Sequence, residues 1–311
     1  MENGYIDWRR NWFPFSEIVV RSLELSDAEF ASYFRSKTLH YHTRIEHALS
    51  DVLGRFSDST FYEPLNYALQ GGKRVRPLIV LLCYDAVGTG NTLTDNPMLA
   101  AIAVELLHTE SIIHDDIIDE DTLRRERKAF HERYGVNPSI LSADFVLGII
   151  LDIASQYPDS RIGRELSKSV LRMSEGEYEE LKIQKEHRSI KPDEYVSVIE
   201  NKTASLFQSS AKIGAMIAGA KQQTIEAMSD FGLNLGIAYQ MQDDLLDWNQ
   251  KASLEQALGA EQPVLQKMSY TFALTAKNSL SSYLALALFL PQTGSPCCSV
   301  SQSSQLHFLS G

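Results

Sequence analysis

Apolar residues recur at helical spacing along most of this chain, and no stretch of strict apolar–polar alternation stands out. From Thr43 to Phe56 the stripe is Ile45, Ala48, Leu49, Val52, Leu53 and Phe56. A second helix, Phe61 to Gln70, ends at Gly71-Gly72, a helix-stop signal. Pro77 suits the first position of a strongly apolar helix that runs to Val87. Met98 to Ile118 is longer and mostly apolar, and Ser139 to Ala154 is apolar again. Further helices run to about Lys185 and over 193–219 and 222–248. Ahead of them, Ser26 to Phe34 reads as a short helix with Ser26 as N-cap and Glu29 completing a capping box. Turn-rich breaks fall at 88–97, Gly135 to Pro138, 157–163 and 187–192. The pattern predicts an all-α fold, a single-domain bundle of about ten or more helices.

No change of composition divides residues 36–277, which are expected to form one domain after an N-terminal extension over 1–35. The composition does change in the tail, 278–311, which carries no Asp, Glu, Lys or Arg. Its apolar piece, Tyr283 to Leu290, precedes SPCCSVSQSSQ. The tail reads either as a last helix with a disordered end or as a segment whose ancestral sequence has been replaced. At 44 % hydrophobic and 22 % charged, the 311 residues otherwise look like an ordinary globular protein. The net charge of −11 argues against general nucleic-acid binding, which wants a basic face. Cys83, Cys297 and Cys298 have neither disulfide-framework nor metal-ligand spacing, so a cytoplasmic, reducing setting is expected. The N-terminus lacks a secretory signal, and no run approaches the roughly 20 apolar residues that span a bilayer.

Candidate chemistry gathers in LLHTESIIHDDIIDEDTLRR, Leu106 to Arg125. Asp115 and Asp119 stand four apart, on one helix face, with Asp116 beside them. Like charges at that spacing destabilise an isolated helix by roughly 0.2–0.5 kcal/mol, so a bound cation is expected. A second cluster, Asp243, Asp244 and Asp247, follows in YQMQDDLLD. Two such clusters facing one cavity match Mg2+, which takes oxygen ligands from one or two carboxylates plus substrate phosphates. One DDxxD alone could be a solvated acidic helix end. The positive counterpart is GGKRVRP, where Gly71 and Gly72 let backbone approach an anion and Lys73 and Arg76 add charge. Taken alone, it could equally be a solvated loop. Arg124 and Arg125 form a second basic pair. His108 lies seven residues before Asp115, two turns away on the same face, although a lone helical His is more often structural.

In order along the chain, GGKRVRP, HDDIIDEDTLRR, NKTASLF and YQMQDDLLD resemble the motifs of the trans-isoprenyl diphosphate synthases, the polyprenyl synthetase family. The resemblance covers about residues 36–248. It implies an all-α bundle of the isoprenoid synthase type around a deep central cavity, and a homodimer. It further implies that Asp115, Asp116, Asp119, Asp243, Asp244 and Asp247 coordinate three Mg2+ ions gripping an allylic diphosphate, with Arg124 assisting. Lys73, Arg76, His108 and Arg125 are similar to the pocket for isopentenyl diphosphate. Lys202, Thr203 and Gln240 match residues that hold the leaving group and steady the allylic cation. SEGEYEELKIQ resembles an acidic helix that would set Glu177 and Glu180 near the site, or it is a solvated face.

The family places bulky aromatics four and five residues before the first aspartate when it makes short products. Here those positions are Ser111 and Glu110, with Leu107 a turn deeper, which points to C20 or longer products over C15. Glu110 is unusual in a hydrocarbon channel unless it turns aside. After Asp247 the family's Gly-Lys lid segments are missing, with Lys251 or Lys267 the available substitutes. A weakly active or non-catalytic regulatory subunit of a heteromeric prenyl synthase is therefore one alternative. A class I terpene cyclase is disfavoured by Lys73, Arg76 and the second DDxxD, and a phosphohydrolase built on His114-Asp115 lacks its further ligands.

Overall fold

The computed structural model describes residues 27–87, 96–186 and 190–257, with side chains described as far as Asp244. In chain order these residues form α1 (Asp27–Gly54), α2 (Tyr62–Leu69), α3 (Val75–Val87), α4 (Pro97–Ile118), a hairpin of β1 (Leu123–Arg124) and β2 (Arg127–Lys128), α5 (Phe130–Tyr134) and α6 (Val136–Ser155). There follow α7 (Ser160–Glu186), α8 (Pro192–Ile199), a π-helical turn (Glu200–Ala204), α9 (Ser205–Ile217) and α10 (Gln222–Ala257). The all-α expectation holds, with ten α-helices among the described residues.

α4 is the centre of the bundle. Asn96 caps it, its side chain accepting from the Met98 N–H at 3.0 Å, and Pro97 takes the first position, where no N–H is needed. Every residue from Ala100 to Leu107 is buried, because α1, α3, α6 and α9 pack around it. A helix apolar on all sides is stable only when covered on all sides. Truncating Leu106 or Leu107 to Ala would cost about 2–5 kcal/mol. α9 in turn packs between α3 and α10, so the basic loop before α3, the acidic end of α4 and the second acidic cluster on α10 are tied to one core.

Three expectations are corrected. The two helices Ser26 to Phe34 and Thr43 to Phe56 are one helix, α1, because residues 27–53 contain no glycine or proline to stop it. The boundary at 35/36 thus falls inside a helix, while Ser26 lies outside the described residues. The single helix expected over 193–219 is broken by the π-turn. A short hairpin interrupts the all-helical pattern, with Leu123 opposite Lys128 and Arg124 opposite Arg127. Its turn residues, Arg125 and Glu126, both have left-handed φ (51° and 61°), the type I′ geometry usually given to Asn-Gly. Among the described residues one helix, α6, is long and apolar enough by composition alone to cross a membrane, but it packs against α4 and α7 as a core helix, and no clear bilayer span is present.

Candidate active site

The basic half of the site is built where α2 stops. Gly71 and Gly72 carry φ of 77° and 107°, and a Cβ on Gly72 would lie 3.1–3.3 Å from the Arg125 guanidinium atoms. Arg125 therefore lies flat on a bare α-carbon, held by the strained turn, a conformation that costs on the order of 1–3 kcal/mol per residue. Tyr67 anchors this hairpin. Its hydroxyl donates to the Lys128 carbonyl at 2.7 Å, and the Arg127 guanidinium lies 3.9 Å from the centre of its ring.

Arg76, in the first turn of α3, reaches inward, with its guanidinium carbon 4.6 Å from the Phe207 ring centre and Nη1 3.0 Å from His108 Nε2. Burial, and after it Arg76, Arg125, Arg124 and Arg74, holds His108 well below the usual histidine range. The imidazole is thus neutral and accepts from Arg76. Arg76 Nε is buried with no partner, and burial lowers the pKa of both Arg76 and Arg125. Lys73 Nζ stands 6.0 Å from the centre of the Tyr239 ring. Desolvated cations with an orphaned donor form a site for a polyanion. Arg74, by contrast, is spent on structure: it is buried and pairs with Glu46 and Glu105, each at 2.7 Å, and with the Leu69 carbonyl.

The acidic half begins where α4 ends. Asp119 is its C-cap, donating its N–H to the Asp115 carbonyl at 2.8 Å. Burial, then the charge of Glu177, pushes the Asp115 carboxyl up to about 7, and burial also raises Asp119. Asp115 lines a cavity of about 270 Å3 together with Leu107, Glu110, Ser111, Glu177 and Lys202. Asp116 faces elsewhere. It is buried, its Oδ1 lies 3.7 Å from Arg124 Nη1 without a hydrogen bond, and it lines a smaller pocket with Arg124 and Arg125. Adjacent helix residues diverge by about 100°, which separates it from Asp115.

On α10, Asp244 accepts from Gln240 Nε2 at 2.8 Å and from the Tyr195 hydroxyl, while the charge of Asp243 acts on Arg76 and Tyr239. Asp247 and Lys251 lie on the helix, but their side chains are outside the described residues, as is Lys267 altogether. Among the described residues no three carboxylate, imidazole or thiol groups are gathered closely enough to hold a metal ion by themselves. The donor chemistry nonetheless fits Mg2+. All candidate ligands are hard oxygens, and the raised pKa of Asp115 is that of a carboxylate short of positive charge.

The π-turn joins the two halves. Lys202 Nζ lies 2.7 Å from both Glu177 Oε2 and Glu180 Oε2, so the acidic face of α7 belongs to the site. Burial lowers the Lys202 pKa, but those two carboxylates outweigh it and the net shift is upward. Thr203 Oγ1 donates to Gln240 Oε1 at 2.7 Å, continuing the chain to Asp244. α7 crosses this turn so closely at Gly176 that a Cβ there would sit 2.4 Å from the Lys202 nitrogen.

The cavity wall explains Glu110. Its Oε1 lies 3.2 Å from His114 Nδ1, one turn along α4, and this contact raises the His114 pKa against the opposing effect of burial. Ser111 Oγ donates to the His108 carbonyl at 3.0 Å, so its hydroxyl is satisfied within the helix. Leu107, Val170, Met173 and Leu181 supply the apolar lining. The residues that the sequence pattern missed are Arg74, Arg172, Tyr195, Phe207 and Tyr239. Of these Arg74, Phe207 and Tyr239 sat inside the recognised motifs, where only their neighbours were singled out, and Arg172 and Tyr195 lay outside them.

The profile of the Polyprenyl synthetase family matches residues 58–277. The chain is 34 % identical over 226 residues to a geranylgeranyl diphosphate synthase of Sulfolobus acidocaldarius, covering 69 % of this chain and 66 % of that protein. Among solved structures it is similar to geranylgeranyl pyrophosphate synthetase from Pyrococcus horikoshii Ot3, with a TM-score of 0.62 and 32 % identity, covering 71 % of this chain and 67 % of the other. It is also similar to a polyprenyl synthase from Caulobacter crescentus CB15 complexed with calcium and isoprenyl diphosphate, with a TM-score of 0.65 and 25 % identity, covering 83 % and 90 %. The chain spans just under two thirds of the length of the Sulfolobus relative, 66 %, and 64 % of a Methanosarcina mazei one. Four motifs in one core, a matching profile over most of the chain and the same fold in its relatives together make this chain a member of the polyprenyl synthetase family.

Proposed function

We propose that the chain is a Mg2+-dependent prenyltransferase. It condenses isopentenyl diphosphate with an allylic diphosphate (dimethylallyl, geranyl or farnesyl) to a trans-prenyl diphosphate of C20 or longer. The observation that carries this reading is α4, which offers His108 to a buried arginine cluster and, two turns on, Asp115 to a cavity with apolar walls. The names of the relatives support it.

Isopentenyl diphosphate is assigned to Lys73, Arg76, His108 and Arg125, where the orphaned Arg76 Nε and the cation-rich pocket await phosphate oxygens. Asp115 and Asp119, with Asp243, Asp244 and Asp247, are assigned to hold three Mg2+ ions at the allylic diphosphate. Asp116 instead holds Arg124 toward that group. When bound, Mg2+ neutralises diphosphate oxygens and stabilises the leaving group. The allylic C–O bond breaks with its electron pair leaving on diphosphate. The double bond of isopentenyl diphosphate supplies the pair for the new C–C bond, and a proton passes to the released diphosphate. Lys202 exchanges a carboxylate partner for a departing oxygen, while the Thr203 hydroxyl and Gln240 amide hold fixed dipoles near the developing cation. Leu107, Val170 and Met173 keep out the water that would quench it.

Incubation of the purified chain with Mg2+, isopentenyl diphosphate and each labelled allylic diphosphate tests the reading, with product length read by chromatography. Products of C20 or longer support it, and no condensation with any allylic substrate overturns it. A second reading, a non-catalytic subunit, is favoured by α10 running on as helix to Ala257 where a Gly-Lys lid would begin. Activity appearing only in complex with another synthase chain would select it. The same proposal includes one domain over 36–277, a homodimer and a cytoplasmic setting. The dimer is supported by Ile140, Leu141 and Leu151 exposed on α6, the setting by the free buried thiol of Cys83.

A further inference from the structure

We propose that Arg172 is a positioning residue for the reaction. It locks the π-turn Glu200–Ala204 in the register that aims Lys202 and Thr203 into the site. The chemistry rests on the prenyltransferase reading, and the geometry does not.

A π-turn inserts one extra residue into a helix and loosens its hydrogen-bond ladder, so it persists only where something compensates. Nothing in Glu200-Asn201-Lys202-Thr203-Ala204 compels it, since the segment holds neither glycine nor proline. Its support comes from α7. Arg172 donates from Nε to Asn201 Oδ1 at 3.0 Å, from Nη1 to Gln208 Oε1 at 2.6 Å and from Nη2 to the Glu200 carbonyl at 3.3 Å. One rigid fork thus grips the first and second residues of the turn and a residue beyond it. Gln208 passes the tie onward, donating to Ser229 Oγ on α10 at 2.9 Å. The Asn201 carbonyl accepts from Ser205 Oγ at 2.7 Å, so two carbonyls of the turn are held by side chains.

The register matters because each residue of an α-helix advances by about 100°. If the turn relaxed into regular helix, Lys202 and Thr203 would rotate relative to one flank or the other. The paired contacts to Glu177 and Glu180 on one side and to Gln240 on the other could then not coexist. Arg172 is not among the residues lining the cavity, so its effect on the reaction passes through the turn.

The test uses the full chain with Arg172→Met, Asn201→Ala, their combination and Arg172→Lys. With isopentenyl diphosphate and allylic substrate varied separately, Arg172→Met should lower kcat by on the order of tenfold to a hundredfold, the scale of a misaligned catalytic group. KM for isopentenyl diphosphate should stay unchanged, because its pocket is assigned to the loop before α3, to α3, to α4 and to the hairpin, none of which Arg172 touches. Asn201→Ala should add little to Arg172→Met, and Arg172→Lys should recover part of kcat. Hydrogen exchange should quicken at amides 200–206 well below the unfolding temperature. Unchanged kcat, or kcat and both KM values changing only with the folded fraction, would assign Arg172 a purely structural role. If the wild-type chain condenses no substrate, the prenyltransferase reading falls, and exchange alone decides: unaltered protection at 200–206 overturns the inference.

Discussion

Arg76 Nη1 lies 3.0 Å from His108 Nε2, joining α3 to α4 across 32 residues of sequence. Because His108 is held neutral, the contact orients the arginine without consuming its charge. Arg76→Met should therefore raise KM for isopentenyl diphosphate by about 10- to 100-fold, the loss of charged hydrogen bonds worth roughly 1.5–3 kcal/mol. His108→Phe should have a smaller effect in the same direction. Steady-state kinetics with isopentenyl diphosphate varied at saturating allylic substrate measure both.

Ser111 is the narrowest change available to the cavity wall. Its hydroxyl is bonded within α4, so Ser111→Phe exchanges a small, internally satisfied side chain for a ring in the 270 Å3 cavity. Product length should shorten toward C15, and chromatography of the dephosphorylated products shows whether it does.

Divalent cation and diphosphate should stabilise the protein together far more than either does alone, because no three described ligands converge without a phosphate to bridge them. Saturation to 100 times Kd contributes about 2.7 kcal/mol, a rise of several degrees in melting temperature for a chain of this size. Chelation should reverse the rise in a thermal-shift assay, and Asp115→Asn should prevent most of it.

Glu165 supplies a pH dependence away from the site. Burial raises its pKa, but Lys212 at 2.9 Å and Lys168 at 3.0 Å outweigh this and hold it below the ordinary 4.5. A depressed carboxyl contributes stability that is present above the unfolded value and lost as pH falls through the folded one. Glu165→Gln should therefore lose about 1–3 kcal/mol at neutral pH. The difference from wild type should shrink as the pH drops below 4.5, as followed by denaturant unfolding.

Gly176→Ala should be damaging beyond its size. The added methyl meets backbone of Lys202 at 2.4 Å, so α7 must move away from the π-turn, at a cost of about 1–3 kcal/mol of overpacking. Activity should fall further than the stability loss accounts for, which kinetics on the folded fraction can separate.

The parts of this site that could be read from sequence are those fixed by neighbours in the chain. Asp115 to Asp119 declare a helix end, and Gly71-Gly72 declare the turn that lets Arg125 lie close. The π-turn was illegible because its supports, Arg172 and Gly176, lie on another helix, Arg172 being 28 to 36 residues from its partners. The hairpin was illegible because Arg125 and Glu126 stand where Asn-Gly would announce it. Asp116 was grouped with Asp115 by adjacency, whereas the helix sends it to Arg124. The joined α1 shows the converse error: Ser26 to Phe34 and Thr43 to Phe56 read as two helices although no stop residue stands between them.

α4 makes His108 and Asp115 parts of one stiff rod, about 10.5 Å apart along its axis at 1.5 Å per residue. On the prenyltransferase reading, the helix alone fixes the spacing between these two anchors of the reactants. Product length is then selected in the cavity wall at Ser111 and Leu107, where changes leave that spacing alone. On that reading the reaction and its stopping rule are separately heritable: substitutions around Ser111 can explore new products while the chemistry continues unaltered.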